Sequence, residues 1–246
     1  METGFLGGPP TFSLVGSVTM AIIRLAEGSE LARVRAVLLD YGEVLCFLPT
    51  PDAIARMARI FRIDPASFMP IYTQSRGPYD RGDLLPEDYW HAFASQAGVT
   101  LSRDEIEKLR HWDVEMWSRT NDPMIRWLQN LRSAGVKTAI LSNMPSDMVT
   151  HVRQHFPWLK HFDHQIFSAD VRRIKPEPAI YEYSLKVLNV PASEILFVDD
   201  RDANLKQARS AGIRTIRFQS VNQLRDDLHT LGFHVLPPRI DFHHKL

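Results

Sequence analysis

The sequence predicts an α/β protein, a doubly wound parallel sheet with an all-helical insertion after its first strand. Three observations carry that expectation. Short, continuously apolar runs alternate with segments of helical periodicity. Glycines stand where helices should end before the next strand. The stretch 47–121 shows helical spacing and no convincing strand.

The first apolar run is Val34 to Leu39, broken only by Arg35. Runs at Val136–Leu141, Gln165–Phe167, Ile195–Val198 and Arg214–Phe218 read the same way. Helical patterns lie between them at Pro123–Ala134, Ser146–His155, Glu177–Leu188 and Ala203–Ala211, with Gly135 and Gly212 closing two of them. Buried strands alternating with helices argue for a parallel sheet covered on both faces. In the insertion, Ile54, Met57, Ala58 and Phe61 share one helical face, and Tyr89, Trp90, Phe93 and Ala97 share another after Pro86. Ile106, Leu109, Asp113 and Met116 mark a third helix, started by Ser102 with Glu105 three residues on. The core is therefore expected over 30–46 and 122–236, with the helical insertion over 47–121.

The ends carry less pattern. Residues 1–29 are rich in small side chains and lack the basic start of a secretory signal, so a disordered extension is expected. Met20 offers a second candidate start, and 237–246 reads as a tail.

Composition narrows the function. Lys and Arg total 29 and so do Asp and Glu, so nothing points to nucleic acid or a membrane surface as partner. No run approaches the ~20 apolar residues that cross a bilayer. The single cysteine, Cys46, rules out an intrachain disulfide, fits a reducing, cytoplasmic setting and reads as a small buried hydrophobe. His151 and His155 have the i, i+4 spacing of a metal pair but no companion acid, and Trp90, Trp112, Trp117 and Trp127 read as packing.

Open parallel sheets bind ligands beyond the carboxyl ends of their strands. Strand one ends in Asp40-Tyr41-Gly42-Glu43-Val44, the second in Ser142-Asn143, and the fourth in Asp199-Asp200, while Lys175-Pro176 precedes a helix. Converging carboxylates repel by about 4 kcal/mol per pair ~4 Å apart at an effective dielectric of 20. A hard divalent cation removes that cost, and Mg²⁺ favours one or two carboxylates plus phosphate oxygens. Lys175 would neutralise phosphate and nucleophile together. Ser142 and the amide of Asn143 would donate to phosphate oxygens, and Asp40 would be the nucleophile.

Together, Asp40-Tyr41-Gly42-Glu43-Val44-Leu45, Leu141-Ser142-Asn143, Lys175-Pro176 and Phe197-Val198-Asp199-Asp200 with Asn204 resemble the four motifs of the haloacid dehalogenase-like (HAD) superfamily, in its order. The resemblance runs from Arg35 to Phe218. It implies a Rossmann-like core with a C1-type helical cap, and a Mg²⁺-dependent phosphatase acting through an aspartyl-phosphate on Asp40. Asp40, the Gly42 carbonyl, Asp200 and Asp199 are the implied metal set, with Asp199 and Asn204 in support. The segment Tyr79 to Trp90 resembles the cap loop of sugar-1-phosphate phosphatases. That loop makes Arg76 and Arg81 candidate substrate-binding residues, with Tyr72, Gln74 and Tyr79 beside them. The partner implied is a small-molecule phosphate ester.

One position departs from the family pattern. Gly42 stands where such phosphatases usually carry a second aspartate that protonates the leaving group, help typically worth ~10²–10⁴-fold in rate. Glu43 is next to it, and in an extended segment it would point the opposite way. Two alternatives stay open: a haloacid dehalogenase, against which Asp199-Asp200 argues, and a binding or regulatory protein that kept the fold and lost turnover.

Overall fold

The computed structural model describes residues 34–240. The expected disordered extension and residues 241–246 of the tail lie outside the described residues. The strands are β1 (Ala36–Leu39), β2 (Lys137–Ser142), β3 (His164–Phe167), β4 (Ile195–Asp199) and β5 (Arg214–Arg217). They form one parallel sheet in the order β3-β2-β1-β4-β5. The chain thus winds outward from β1 on one side and returns to build the other. That reversal opens a crevice beyond the carboxyl end of β1.

The helices are α1 (Pro51–Phe61), α2 (Pro65–Asp80), α3 (Pro86–Gln96), α4 (Arg103–Met116), α5 (Asp122–Ser133), α6 (Ser146–His155), α7 (Ser168–Val171), α8 (Pro178–Leu188), α9 (Asp202–Ser210) and α10 (Val221–Thr230). Strand periodicity of two sends alternate side chains to opposite faces. Val37, Leu39, Ile140 and Val198 pack with Trp127 and Leu131 of α5, Val152 of α6 and Leu224 of α10. Ala36, Leu38, Leu141 and Phe197 pack with Ile180 of α8 and Leu205 of α9. Both faces are covered, which is why the strands read as unbroken apolar runs. None of the described helices is long and apolar enough to cross a membrane.

Helices α1 to α4 form the insertion, around an aromatic core of their own. Phe61 lies 4.4 Å from Phe93 between ring centres, and Tyr79 stacks on Tyr89 at 4.3 Å. The chain leaves the core and returns to it as a paired crossing. Cys46 bridges Thr120, and Phe47 N–H donates to the Arg119 carbonyl at 2.8 Å. Cys46 is buried and free of disulfide.

Three helices go beyond the sequence expectation, the short α7 among them. Helix α2 contains Pro70, Gly77 and Pro78, residues that argue against a helix. It forms because Asp64 caps it, Pro65 opens it, and Phe68, Tyr72 and Tyr79 are buried in the aromatic core. Helix α10 carries a readable signal, a capping box of Ser220 and Gln223.

The insertion is fastened to the sheet domain by polar contacts. Ser168 Oγ donates to the Asp80 carbonyl at 2.5 Å, and Arg172 donates to the Gly82 carbonyl at 2.6 Å. Arg81 holds Glu177 with two bonds of 2.8 and 2.5 Å, and Arg110 holds Asp147. Gly82 has φ +81°, and a Cβ there would lie 3.2 Å from the Ala169 carbonyl oxygen. Gly82→Ala should therefore lower the unfolding free energy by about 1–2 kcal/mol, the left-handed penalty for a side chain. Urea denaturation checks this, and an unchanged midpoint would show that the loop is not held in this conformation.

Candidate active site

The site is built by sheet register. Leu39 pairs with Ile140 on one side and Val198 on the other. The next residue, Asp40, therefore comes level with the ends of β2 and β4, and its N–H donates to the Val198 carbonyl at 3.0 Å. Asp40, Ser142 and Asp199 are buried together at the strand ends. Lys175 arrives from the segment between α7 and α8. It is fixed through Asn143, whose side chain accepts from Lys175 N–H at 2.7 Å and donates to the Lys175 carbonyl at 2.8 Å.

The Lys175 ammonium lies 2.7 Å from Asp40 Oδ1 and 2.8 Å from Asp199 Oδ2, nearly without solvent exposure. Burial alone would lower its pKa, but the Asp199 and Asp40 carboxylates raise it above the ordinary lysine value. It is a permanent cation here. Asp40 is pushed up by burial, pulled down by Lys175 and pushed up again by Asp199 and Asp200. Tyr41 N–H donates to the same Oδ1 at 2.7 Å.

Asp199 is fully engaged. Its Oδ1 accepts from Arg201 N–H at 2.8 Å, and Asn204 Nδ2 donates to both oxygens at 3.0 Å. This carboxylate orients Lys175, which leaves Asp40 and Asp200 as the more available oxygens. Ligand oxygens of Asp40, Asp199 and Asp200 lie within 4.8 Å of one another. Burial, Asp199 and Glu43 raise Asp200 to about 6 against the pull of Lys175. An all-oxygen set with excess negative charge fits a hard divalent cation.

A cavity of about 360 Å³ opens over these residues. Its floor includes Asp40, Gly42, Glu43, Ser142, Asn143, Lys175 and Asp200, and its roof comes from α2 of the insertion. One sequence expectation needs correction. The segment after Asp40 is not extended: Val44 N–H donates to the Gly42 carbonyl at 2.7 Å, and Glu43 adopts φ +59°. Glu43 consequently faces the same cavity as Asp40. The Asn143 side chain grips Lys175, and its backbone amide, the group expected at the phosphate, lies at the cavity.

The two candidate arginines part company. Arg76 lines the cavity, donating to Asp80 at 3.0 Å and Asp113 at 2.8 Å, with its guanidinium 4.6 Å above the Tyr72 ring. Asp113, a carboxylate on an otherwise apolar helix face, is explained by this pair. Arg81 lies outside the cavity lining and is spent on Glu177 and Asp83. Tyr79 is buried under Tyr89. Trp90 and Trp127 are core packing, while Trp117 also lines the cavity. His151 and His155 stack on each other with no acid between them. Sequence reasoning missed Met69, Met144, Met148 and Ile174 as cavity walls, since methionine and isoleucine carry no chemical signature.

Comparison with known proteins agrees with this arrangement. The sequence model of the haloacid dehalogenase-like hydrolases matches residues 34–212. The chain belongs to that family. It is 30% identical over 181 residues to a sesquiterpene phosphatase of Aspergillus oryzae, covering 73% of this chain and 87% of that protein. It is 39% identical over 100 residues to rat bifunctional epoxide hydrolase 2, spanning only 18% of that longer protein. In fold it resembles a HAD family enzyme of Bacteroides thetaiotaomicron, whose crystal structure is a complex with magnesium and inorganic phosphate. The TM-score is 0.64 at 19% identity, over 76% of this chain and 94% of that one. L-2-haloacid dehalogenase from Xanthobacter autotrophicus shares the fold with a TM-score of 0.59 at 19% identity, over 87% of this chain and 92% of that one.

Removing Lys175 would leave two buried carboxylates without their counter-charge. Lys175→Met should cost about 3–5 kcal/mol of stability, as breaking a buried pair typically does. Equilibrium unfolding in urea measures it, and a loss below 1 kcal/mol would mean that the ammonium is not the group compensating Asp40 and Asp199.

Proposed function

We propose that the protein is a magnesium-dependent phosphatase that hydrolyses a small phosphorylated metabolite through an aspartyl-phosphate on Asp40. One observation carries this reading: Lys175 is ion-paired to Asp40 and Asp199 beside Asp200, at the floor of a ligand-sized cavity. Asp40, Asp200 and the Gly42 carbonyl would hold Mg²⁺, which when bound offsets the charge of the carboxylates and the phosphate.

The chain's own residues supply the rest. An oxygen of Asp40 attacks phosphorus, and the ester P–O bond breaks as the alcohol oxygen leaves and takes up a proton from solvent water. Lys175 neutralises negative charge on the phosphoryl group, and the Ser142 hydroxyl with the Asn143 backbone N–H donate to its oxygens. Water then cleaves the aspartyl-phosphate, releasing inorganic phosphate and restoring Asp40. Glycine at 42 brings no carboxyl to protonate the leaving oxygen. That favours substrates whose leaving oxygen departs with little help, and the aldose 1-phosphate implied by the sequence resemblance meets this condition. Gly42 is also what favours the alternative of a binding protein without turnover.

Hydrolysis of p-nitrophenyl phosphate that requires Mg²⁺ and disappears in Asp40→Asn is the expected result. Release of halide from a 2-haloacid without metal would instead establish the dehalogenase. Failure of Mg²⁺ with beryllofluoride to bind at Asp40 would support the non-catalytic alternative.

A Cβ built at Gly42 meets nothing within 4 Å. Gly42→Asp should therefore fold normally and raise kcat on poor-leaving-group esters by about 10²-fold, the lower range of general-acid help. Steady-state kinetics on alkyl phosphates tests this, and an unchanged kcat would show that protonation of the leaving group does not limit turnover.

A further inference from the structure

We infer that the organic body of the substrate is an apolar chain, so that among esters of like leaving-group basicity an alkyl or isoprenoid phosphate is preferred over a sugar phosphate. This rests on the phosphatase reading and concerns the part of the cavity away from Asp40. Leu48, Met69, Trp117, Met144, Met148 and Ile174 supply much of that wall. Leu48, on the insertion's entry segment, is half exposed where it lines the cavity.

Several polar atoms of the roof that could read sugar hydroxyls are already committed to one another. Tyr72 Oη donates to Asp113 at 2.5 Å and accepts from Trp117 Nε1 at 3.0 Å. Tyr41 Oη donates to the Trp117 carbonyl at 2.6 Å. Arg76 is held by Asp80 and Asp113. The two carboxylates outnumber that one guanidinium, so the roof offers no net positive charge to a second anionic group. Asp80 spends Oδ1 on Arg76 and its carbonyl on Ser168. The side chains left free to bond a ligand polar group are Glu43 beside the floor and Thr73, Gln74 and Arg201 at the water-exposed rim. Away from the floor, aromatic ring and thioether surface line one side of the cavity beside the Arg76–Asp80 pair, and flexible methionines adapt to chains of irregular shape.

Steady-state kinetics with Mg²⁺ on ethyl, butyl, octyl and decyl phosphate tests this at nearly constant leaving-group basicity. Each methylene fully buried should multiply kcat/KM by about fourfold, and each half-buried one by about twofold, through KM more than kcat. Geranyl phosphate should exceed 6-phosphogluconate, also a primary-alcohol ester, by at least an order of magnitude. Met148→Asn and Ile174→Asn should each lower the octyl-to-ethyl ratio of kcat/KM severalfold. A ratio near one in the wild type, or 6-phosphogluconate preferred over octyl phosphate, overturns the inference while leaving a phosphatase. Absence of turnover on every ester, p-nitrophenyl phosphate included, overturns the phosphatase reading and this one with it.

Discussion

A single buried ammonium holds the floor of the site together. Lys175 stands between Asp40 and Asp199 at hydrogen-bond distance from each. Without it, the ends of β1 and β4 would bring carboxylates together in a place with little water. The sheet register makes that meeting unavoidable, since Asp40 follows directly on the Leu39–Val198 pairing. Other features serve the ammonium. Asn143 clamps the Lys175 backbone in both directions, and Asn204 with Arg201 N–H fixes Asp199 so that its second oxygen meets the ammonium. Even so, three carboxylates face one cation. The residual negative charge is what makes the floor receptive to a divalent ion.

The insertion repeats the motif with a different outcome. Arg76 also lies between two carboxylates, Asp80 and Asp113, and is walled by the faces of Tyr72, Tyr79 and Tyr89. Arginine suits this place because its planar fork bonds two partners while its face stacks on rings. Burial raises Asp80 to about 6, opposed by Arg76. The cluster knits α2 to α4 and shapes the cavity roof. Floor and roof therefore divide the work, the one set up for charge and the other for shape.

The core was legible because its physics is local. Apolar runs at β1, β2 and β4 are continuous since both sheet faces are covered, and the chemistry-bearing residues sit one step past those runs. Asp40, Ser142 and Asp200 could be placed on one rim from strand ends, and Lys175 from its motif just before a helix. Helix α2 could not, because Pro70, Gly77 and Pro78 speak against helix and only the tertiary burial of Phe68, Tyr72 and Tyr79 overrides them. The cavity roof hangs on that helix, so the roof was the illegible part. Arg76 and Arg81 looked alike in sequence. Their fates diverged through partners far along the chain, Asp113 for one and Glu177 for the other. The turn that swings Glu43 into the cavity was equally hidden, since a left-handed glutamate leaves no compositional trace.

Gly42 links these parts. Its position demands no glycine on steric grounds, as a side chain there would meet open space. Its backbone carbonyl already accepts from Val44 N–H, which tightens the turn and points the loop at the cavity. An aspartate could make the same turn, so the missing carboxyl is a matter of chemistry and not of folding. Removing that carboxyl also removes a charge from a floor where Asp40, Asp200 and Glu43 already repel one another. The apolar wall above then meets a less anionic floor. A phosphate on a hydrophobic chain, which brings no further polar group to satisfy, is the ligand that suits both surfaces at once.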